Sequence, residues 1–197
     1  MTHGLGVPLK RRWSESDIAA FIAGQPSMMR VLLAVAGQHL PDGWVGAGFV
    51  RNAVWDALHG LASPRECADV DVVFFDPSDA SPERDAGIEA DLVAGYPDVP
   101  WSVRNQARMH ARNGDAPYAD TRDALRHWPE RCTAIAARAS GNRVELLAPL
   151  GVDDLVGLIV RPTPAFAGKM NIYRQRVQQK NWLRLWPRLQ IFEVISE

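Results

Sequence analysis

The chain has 197 residues, a formal net charge of −1, 47% hydrophobic residues and 23% charged residues. This length suits one compact domain, and the ordinary composition excludes a disordered chain, a collagen-like repeat and a coiled coil. No stretch reaches the ~20 apolar residues of a membrane span, and no signal peptide follows the basic residues 10–12. The two cysteines, Cys67 and Cys132, lack zinc-site spacing. We therefore expect a cytoplasmic protein with reduced thiols and no membrane partner.

Hydrophobic periodicity and turn residues predict an alternation of helices and strands. In chain order the predictions are helices over 14–24 and 27–39, a strand over 44–46, a helix over 49–59, a strand over 70–75, a helix over 82–95, a strand over 99–103, a helix over 120–128, a hairpin of strands 132–139 and 143–148, and helices over 152–160 and 168–186. This order predicts an α+β (α/β) fold with one mixed sheet flanked by helices. We expect a single domain over 1–197, with a core over about 28–160 and a basic C-terminal helix over about 168–186.

Charge is distributed unevenly along the chain. Residues 155–192 contain no Asp or Glu, and their seven basic residues are Arg161, Lys169, Arg174, Arg176, Lys180, Arg184 and Arg188. The rest of the chain has 15 basic and 23 acidic residues. A basic C-terminal stretch favours an anionic partner such as a nucleotide or RNA, and a solvated cationic helix face is the alternative.

A turn that contains two glycines joins the third predicted helix to the strand before it. Gly46 and Gly48 flank Ala47, and Phe49-Val50-Arg51-Asn52 begins the helix. Glycine lets a backbone approach a phosphate closely, and a helix N-terminus offers free N–H groups and the positive end of its dipole. The turn is therefore a candidate phosphate site.

A pair of carboxylates enters the next predicted strand. Asp69 and Asp71 are two positions apart, so in a strand both side chains point to the same face. Two close carboxylates are unfavourable unless a cation neutralises them, and Mg²⁺ prefers carboxylates together with phosphate oxygens. We therefore interpret this pair as a candidate metal site.

A dinucleotide-binding fingerprint is the main alternative for the glycine turn. That fingerprint requires a third small residue three positions after the second glycine, where this chain has Arg51. It also requires an acid at the end of the second strand about twenty residues on, whereas Asp69 and Asp71 lie at the start of that strand. Both departures disfavour this alternative.

The combination of these motifs resembles the polymerase-β-like nucleotidyltransferase superfamily, whose signature is a glycine turn and helix followed by a strand with two aspartates. Residues 47–52 are similar to the Gly-Gly-x-Val-Arg-Asp motif of tRNA CCA-adding enzymes and poly(A) polymerases, with Ala for the first Gly and Asn for Asp. Over about residues 28–190 the chain more closely resembles a bacterial family of small nucleotidyltransferase-like proteins. The further motifs that carry this resemblance are 104–110 (RNQARMH), 127–130 (HWPE), 148–155 (APLGVDDL) and 180–187.

The resemblance implies a polymerase-β-like nucleotidyltransferase fold and roles for particular residues. Asp69 and Asp71 would be catalytic and would hold Mg²⁺ or Mn²⁺, and an NTP would bind to a set formed by Gly46, Gly48, Arg51, Asn52 and Asn105. The superfamily also has a third carboxylate on a neighbouring strand, and Glu145 is the candidate because it is the only acid on a convincing later strand.

These implications favour a metal-dependent nucleotidyltransferase that moves a nucleoside monophosphate from an NTP to an acceptor and releases pyrophosphate. The acceptor would be RNA or another anionic molecule. The alternative, if the third carboxylate is missing, is a catalytically incomplete nucleotide- or RNA-binding module, such as one partner of a toxin–antitoxin-like pair.

Overall fold

The computed structural model describes residues 12–65 and 67–193. Two helices open this part of the chain, α1 (Glu15–Ala23) and α2 (Pro26–Ala36). Ser14 begins α1 with a capping box, because its hydroxyl accepts from the Asp17 N–H and its own N–H donates to the Asp17 carboxylate. The N-terminal residues 1–11, which include most of the basic cluster at 10–12, lie outside the described residues.

The centre of the fold is a five-stranded sheet. Its strands are β1 (Trp44–Gly46), β2 (Val70–Phe74), β3 (Trp101–Asn105), β4 (Ala136–Ser140) and β5 (Arg143–Leu147). Their order in the sheet is β3-β2-β1-β4-β5, where β2 and β3 are parallel and the other neighbours are antiparallel. The predicted mixed sheet and the hairpin of β4 and β5 are therefore confirmed.

Helices and short strands complete the fold. They are α3 (Gly48–Leu58), α4 (Pro82–Gly95), α5 (Met109–Asn113), α6 (Thr121–Arg126), α7 (Asp153–Val156), β6 (Ile159–Val160), α8 (Met170–Lys180), α9 (Trp182–Leu185) and β7 (Gln190–Ile191), with 3₁₀ turns over Gln106–Arg108 and Pro164–Lys169. The α+β fold class with helices flanking the sheet is confirmed. Among the described residues no single helix is long and apolar enough to cross a membrane, and α1 with α2 passes that test only as a pair bent by 95°.

The two faces of the sheet have different environments. Val45, Val72 and Ala137 point to one face, where they join the main core beneath α1 to α4. The opposite face carries Trp44 and Val73 in a smaller apolar cluster with Leu125 of α6 and the partly buried Trp128. The start of β2 on this second face is where the carboxylate pair lies.

β3 is an edge strand, and acidic side chains of α4 accept hydrogen bonds from the N–H groups on its outer side. The N–H of Val103 donates to Glu89 at 3.0 Å, and the N–H of Asn105 donates to the buried Asp85 at 3.0 Å. Capping these donors blocks the pairing of a further strand at this edge. The strand predicted over 99–103 is observed two residues later, as β3 (Trp101–Asn105). The helical turns that follow it, over Gln106–Arg108 and Met109–Asn113, were not predicted.

The C-terminal part differs most from the sequence predictions. The predicted helix over 152–160 ends at Gly157, because Leu158 turns the chain at φ 58° into β6. The predicted helix over 168–186 is interrupted at Asn181, where φ is 47°. The break rotates α9 so that Trp182 and Trp186 both pack edge-on against Trp55 of α3, with ring centroids 5.7 and 5.1 Å apart. These contacts dock the C-terminal helices on the body of the protein.

Candidate active site

The carboxylate pair lies where β1 and β2 meet. Asp71 stands directly opposite Gly46 in the antiparallel pair, and Asp69 precedes β2 by one residue and is exposed. The next residue after β1, Ala47, begins the turn into α3. The strand pairing therefore brings the start of β2 next to the N-terminus of α3, which is the juxtaposition that the sequence motifs predict.

The environment of Asp71 disfavours its charged form, mainly because the side chain is partly buried. Partial burial raises the pKa of Asp71 above its ordinary value, and the neighbouring Asp69 raises it further. Lys180, Arg176 and Arg51 act in the opposite direction without cancelling the shift. A bound cation would relieve this cost, so the donor set fits a hard divalent ion.

The N-terminus of α3 offers backbone donors beside the carboxylates. Ala47 has no side chain that could cap the helix, and its own N–H donates to the carbonyl of Ile135 at 3.2 Å. The N–H groups of the first turn, which begins at Gly48, have no partner within the helix. A Cβ at Gly48 would make only ordinary contacts, the nearest being the Asn52 side-chain nitrogen at 3.4 Å. The glycine therefore leaves room at the positive end of the helix dipole.

Gly46 has a structural reason to be glycine. It pairs with β2 on one side and with β4 on the other, and a Cβ here would lie 2.9 Å from Cη2 of Trp128. Contact at that distance requires the indole to move. Packing against Trp128 thus explains Gly46, and the phosphate contact that the sequence predicts for this residue stays a prediction.

Arg51 lies beneath the turn instead of facing outwards. It is 5% exposed, donates to the Thr133 hydroxyl at 2.9 Å and to the Asn52 side-chain oxygen at 2.9 Å, and stacks over Trp182 at 4.6 Å. Burial lowers the pKa of its guanidinium. The structure therefore places Arg51 as an internal support of the turn, and Asn52 accepts its hydrogen bonds while remaining partly exposed.

Asn105 is not brought together with the carboxylates. It pairs with Phe74, three residues along β2 from Asp71, and so belongs to the opposite face of the sheet. The side chain is fully buried; its Nδ2 donates to the carbonyls of Asp76 and Asp79, and its Oδ1 accepts from the N–H groups of Asp76 and Ala107. Asn105 therefore holds the loop after β2.

Glu145 is also separate from the pair. β5 lies three strands from β2, which at about 4.8 Å per strand is roughly 14 Å. The Glu145 carboxylate is bound by Arg138 opposite it, at 2.6 and 2.8 Å, and this hydrogen bond lowers its pKa. Within residues 12–65 and 67–193, no group of three or more His, Cys, Asp or Glu side chains is arranged to hold a metal ion.

Two residues near the site were missed by the sequence analysis as members of it. Arg176 and Lys180 of α8 both influence Asp71 electrostatically, although they follow it by more than a hundred positions. Their i, i+4 spacing places them on one face of a helix, which was a usable signal. The sequence gives no direct sign that this face lies towards β2.

Comparisons with known proteins agree with the fold. The nucleotidyltransferase family matches residues 34–191. An NMR structure described as revealing a CCA-adding enzyme head domain is 34% identical, has a TM-score of 0.82 and is matched over 98% of its length by 95% of this chain. None of the curated proteins compared with the chain matches it.

Two larger solved structures share the fold at low identity. A complex of CCA-adding enzyme with CTP has a TM-score of 0.53 at 13% identity, with 93% of this chain and 44% of that chain covered. A tRNA-processing enzyme in an apo form has a TM-score of 0.51 at 15% identity, with 92% and 46% covered. The chain thus spans less than half the length of these two enzymes.

A glycine turn into a helix beside two strand carboxylates, on a mixed sheet, is the arrangement that the resemblance to nucleotidyltransferases implies. The family match over most of the chain and the 34% identical structure agree, and this protein belongs to the nucleotidyltransferase family.

Proposed function

We propose that the protein transfers a nucleoside monophosphate from an NTP to an acceptor hydroxyl and releases pyrophosphate. The acceptor oxygen forms a bond to the α-phosphorus while the bond from that phosphorus to the bridging oxygen breaks. The bridging oxygen keeps the electron pair and leaves with pyrophosphate, and the hydroxyl proton passes to water. The observation that supports this proposal most strongly is the position of Asp71, which lies opposite Gly46 and beside the free N-terminus of α3.

Asp69 and Asp71 would hold Mg²⁺ or Mn²⁺. Magnesium sites at phosphates use one or two protein carboxylates, with phosphate oxygens and water as the other ligands. Two neighbouring carboxylates, one of them partly buried with a raised pKa, fit this donor set. When bound, the ion would lower the pKa of the attacking hydroxyl and neutralise charge on the phosphates.

The chain's own groups would orient the nucleotide. The N–H groups at Gly48 and in the following turn point out of the positive end of α3 and suit phosphate oxygens. Arg51 and Asn52 would contribute by holding the turn in shape, because Arg51 is bound to Thr133 and to Asn52 inside the protein.

The acceptor is proposed to be anionic, RNA being one candidate. Four cations of the basic C-terminal stretch are paired with acids outside it: Arg161 with Asp154, Lys169 with Asp115, Arg174 with Glu193 and Arg176 with Glu130. The other three, Lys180, Arg184 and Arg188, have no ion-pair partner in the described part of the chain, and Arg188 donates to the carbonyl of Leu58. The acceptor would therefore meet a smaller positive surface than the sequence suggests.

Substitution of the two carboxylates tests this function. In wild type, ATP, GTP, CTP or UTP with Mg²⁺ or Mn²⁺ should raise the Tm, since a ligand at 100 times its Kd adds about 2.7 kcal/mol, or several degrees for a protein of this size. Asp69→Asn and Asp71→Asn should each abolish the metal-dependent rise. Asp91→Asn, an exposed acid on α4, is the matched control and should keep it. Metal-dependent shifts in both site variants would exclude this metal site.

The structure also predicts the stability of the Asp71→Asn variant. The pKa of Asp71 is raised in the folded protein, so its charged form destabilises the fold at pH values above its ordinary pKa of 3.8. A neutral Asn removes that cost. The ligand-free Tm at pH 7 should therefore equal or exceed that of wild type, which separates loss of binding from loss of folding.

One observation favours the second candidate, a nucleotide-binding module without transferase activity. Glu145, the expected third carboxylate, is paired with Arg138 on a distant strand. Incubation with radiolabelled NTP, Mg²⁺ and total RNA separates the candidates. Labelled product and pyrophosphate support transfer, whereas metal-dependent binding without pyrophosphate release supports the module.

A further inference from the structure

Hydrogen bonds link α8 to the segment 130–135, and this segment to the turn before α3. The N–H of Ala47 donates to Ile135, at the end of a turn that begins at Glu130. Within that turn the N–H groups of Thr133 and Ala134 donate to the carbonyl of Glu130 at 3.0 Å. The Glu130 carboxylate in turn accepts from Nε of Arg176 at 2.7 Å. Arg176 of α8 is thereby bound to the segment that also pairs with the turn into α3.

Arg176 is held at one atom and free at two others. Its side chain is 32% exposed, Nε is bound to Glu130, and neither Nη1 nor Nη2 has a partner among the residues that the structure describes. Two parallel N–H donors of a guanidinium match the oxygens of a phosphate group. Lys180 lies one turn further along the same face, and its ammonium likewise has no partner in the described ranges.

Packing alone does not explain why a glutamate is buried at position 130. Its side chain is fully buried, and its second oxygen, Oε2, has no hydrogen-bond partner among residues 12–65 and 67–193. A buried carboxylate with a free oxygen costs stability. Orientation of Arg176 accounts for that cost, and it also gives a role to the motif at 127–130 that the proposed function leaves unexplained.

Arg51 cannot supply the same contact, because both of its faces are occupied. Trp55 and Trp182 stack on the guanidinium, and Thr133 and Asn52 accept its hydrogen bonds. Arg176 and Lys180 also act electrostatically on Asp71. Since Arg51 is occupied by internal contacts, these two residues of α8 are the candidates for binding an anionic ligand at the carboxylate pair.

We propose that Arg176, oriented by the buried Glu130 and assisted by Lys180, binds the β- and γ-phosphates of the NTP at Asp69 and Asp71. This inference rests on the proposed function. As the bond between the α-phosphorus and the bridging oxygen breaks, negative charge develops on pyrophosphate, and the guanidinium neutralises it. Glu130 is a positioning residue, because it acts only through Arg176.

Calorimetric titration of three probes tests the assignment: the magnesium complex of the NTP that shifts wild type most, the corresponding NMP, and magnesium pyrophosphate. Arg176→Gln should weaken NTP and pyrophosphate at least tenfold and leave NMP within twofold. Arg174→Gln is the matched control, because it removes the same charge from α8, at a residue paired with Glu193 on the surface. It should leave all three affinities within twofold.

Further variants separate orientation from charge. Arg176→Lys keeps the positive charge but lacks the two parallel N–H donors of a guanidinium. Its NTP affinity should therefore lie between those of wild type and Arg176→Gln. Glu130→Gln should weaken NTP and pyrophosphate several-fold without changing NMP, a selectivity that a purely structural defect would not produce.

Two negative results have different meanings. If wild type binds the NTP more tightly than the NMP but Arg176→Gln behaves like Arg174→Gln, the role of Arg176 is overturned and the proposed function stands. If wild type binds neither the magnesium NTP nor magnesium pyrophosphate, the proposed function fails and this inference fails with it.

Discussion

Ala47 adopts a backbone conformation that side-chain-bearing residues rarely take. Its φ is 52° and its ψ is −121°, a region that favours glycine. The related motif of CCA-adding enzymes and poly(A) polymerases has Gly at this position. Ala47 therefore stores strain at the junction between β1 and α3, next to the carboxylate pair.

Replacement of Ala47 by glycine should stabilise the protein. Release of a strain of about 1–3 kcal/mol, less the entropy that glycine loses on folding, predicts a net gain of about 1 kcal/mol and a Tm higher by roughly 2–4 °C. Ala57→Gly, in the ordinary helical part of α3, is the control and should lose about 1 kcal/mol. Equal destabilisation in both variants, measured by urea unfolding, would show that Ala47 is unstrained.

Cys67 provides a pH-dependent reporter two residues before Asp69. Burial raises the pKa of its thiol from 9.0 to about 11. Since the thiolate is the reactive form, alkylation by iodoacetamide should accelerate about tenfold per pH unit from pH 7 to 10. Mass spectrometry should find Cys132 unlabelled, because it is 1% exposed and burial raises its pKa to about 12. A rate that levels off near pH 9 would contradict the shifted pKa of Cys67.

At the scale of elements, a buried carboxylate anchors the segment between α3 and β2. Asp56 is fully buried and accepts from the backbone N–H of Arg65 at 2.8 Å, from its guanidinium, and from the Trp186 indole at 2.8 Å. The Arg65 guanidinium lies over Trp186 at 4.8 Å. This arrangement joins α3, α9 and the chain that leads into Asp69.

Asp56→Asn should therefore affect both stability and ligand binding. It places an NH₂ group among donors and leaves Arg65 without its partner, so we expect a loss of about 2–3 kcal/mol in urea unfolding, moderated because Arg65 is partly exposed. Metal-dependent NTP binding should weaken as the segment before Asp69 loosens. Asp98→Asn, which removes the exposed pair with Arg30, is the control and should leave the unfolding midpoint nearly unchanged.

At the scale of the whole molecule, the C-terminal stretch is paired with the rest of the chain by charge and by aromatic packing. The acids that bind its cations lie outside the stretch, so the basic excess in one region offsets the acidic excess in the other. Trp182 and Trp186 add the edge-on contacts with Trp55.

These contacts predict that residues 1–197 unfold as one cooperative domain. Tryptophan fluorescence, to which Trp55, Trp182 and Trp186 contribute, and far-UV circular dichroism should give the same urea midpoint. Trp182→Phe should lower both midpoints together by an amount equivalent to about 1–3 kcal/mol. Two separate transitions would show that the C-terminal helices form an independent unit.

Local patterns were sufficient for much of the fold. Capping at Ser14, the turn after α2 and the apolar run of β2 depend on neighbours in the chain, so helices, strands and the α+β class could be predicted from them. The break at Asn181 could not, because the i, i+4 spacing of Trp182 and Trp186 fits a continuous helix. Asn tolerates the left-handed conformation at 181, and packing against Trp55 stabilises the break at this position.

The candidate site divides in the same way. The carboxylate pair and the glycine turn could be predicted from the sequence. The alternation of side chains along a strand and the start of a helix depend only on neighbouring residues. Only the tertiary contacts show that Asn105 and Arg51 form internal hydrogen bonds. They also show that Glu145 is paired with Arg138 and that Arg176 of α8 is paired with Glu130. The physical reason is that the role of a polar side chain depends on its burial and its partners, and contacts across the sheet set both.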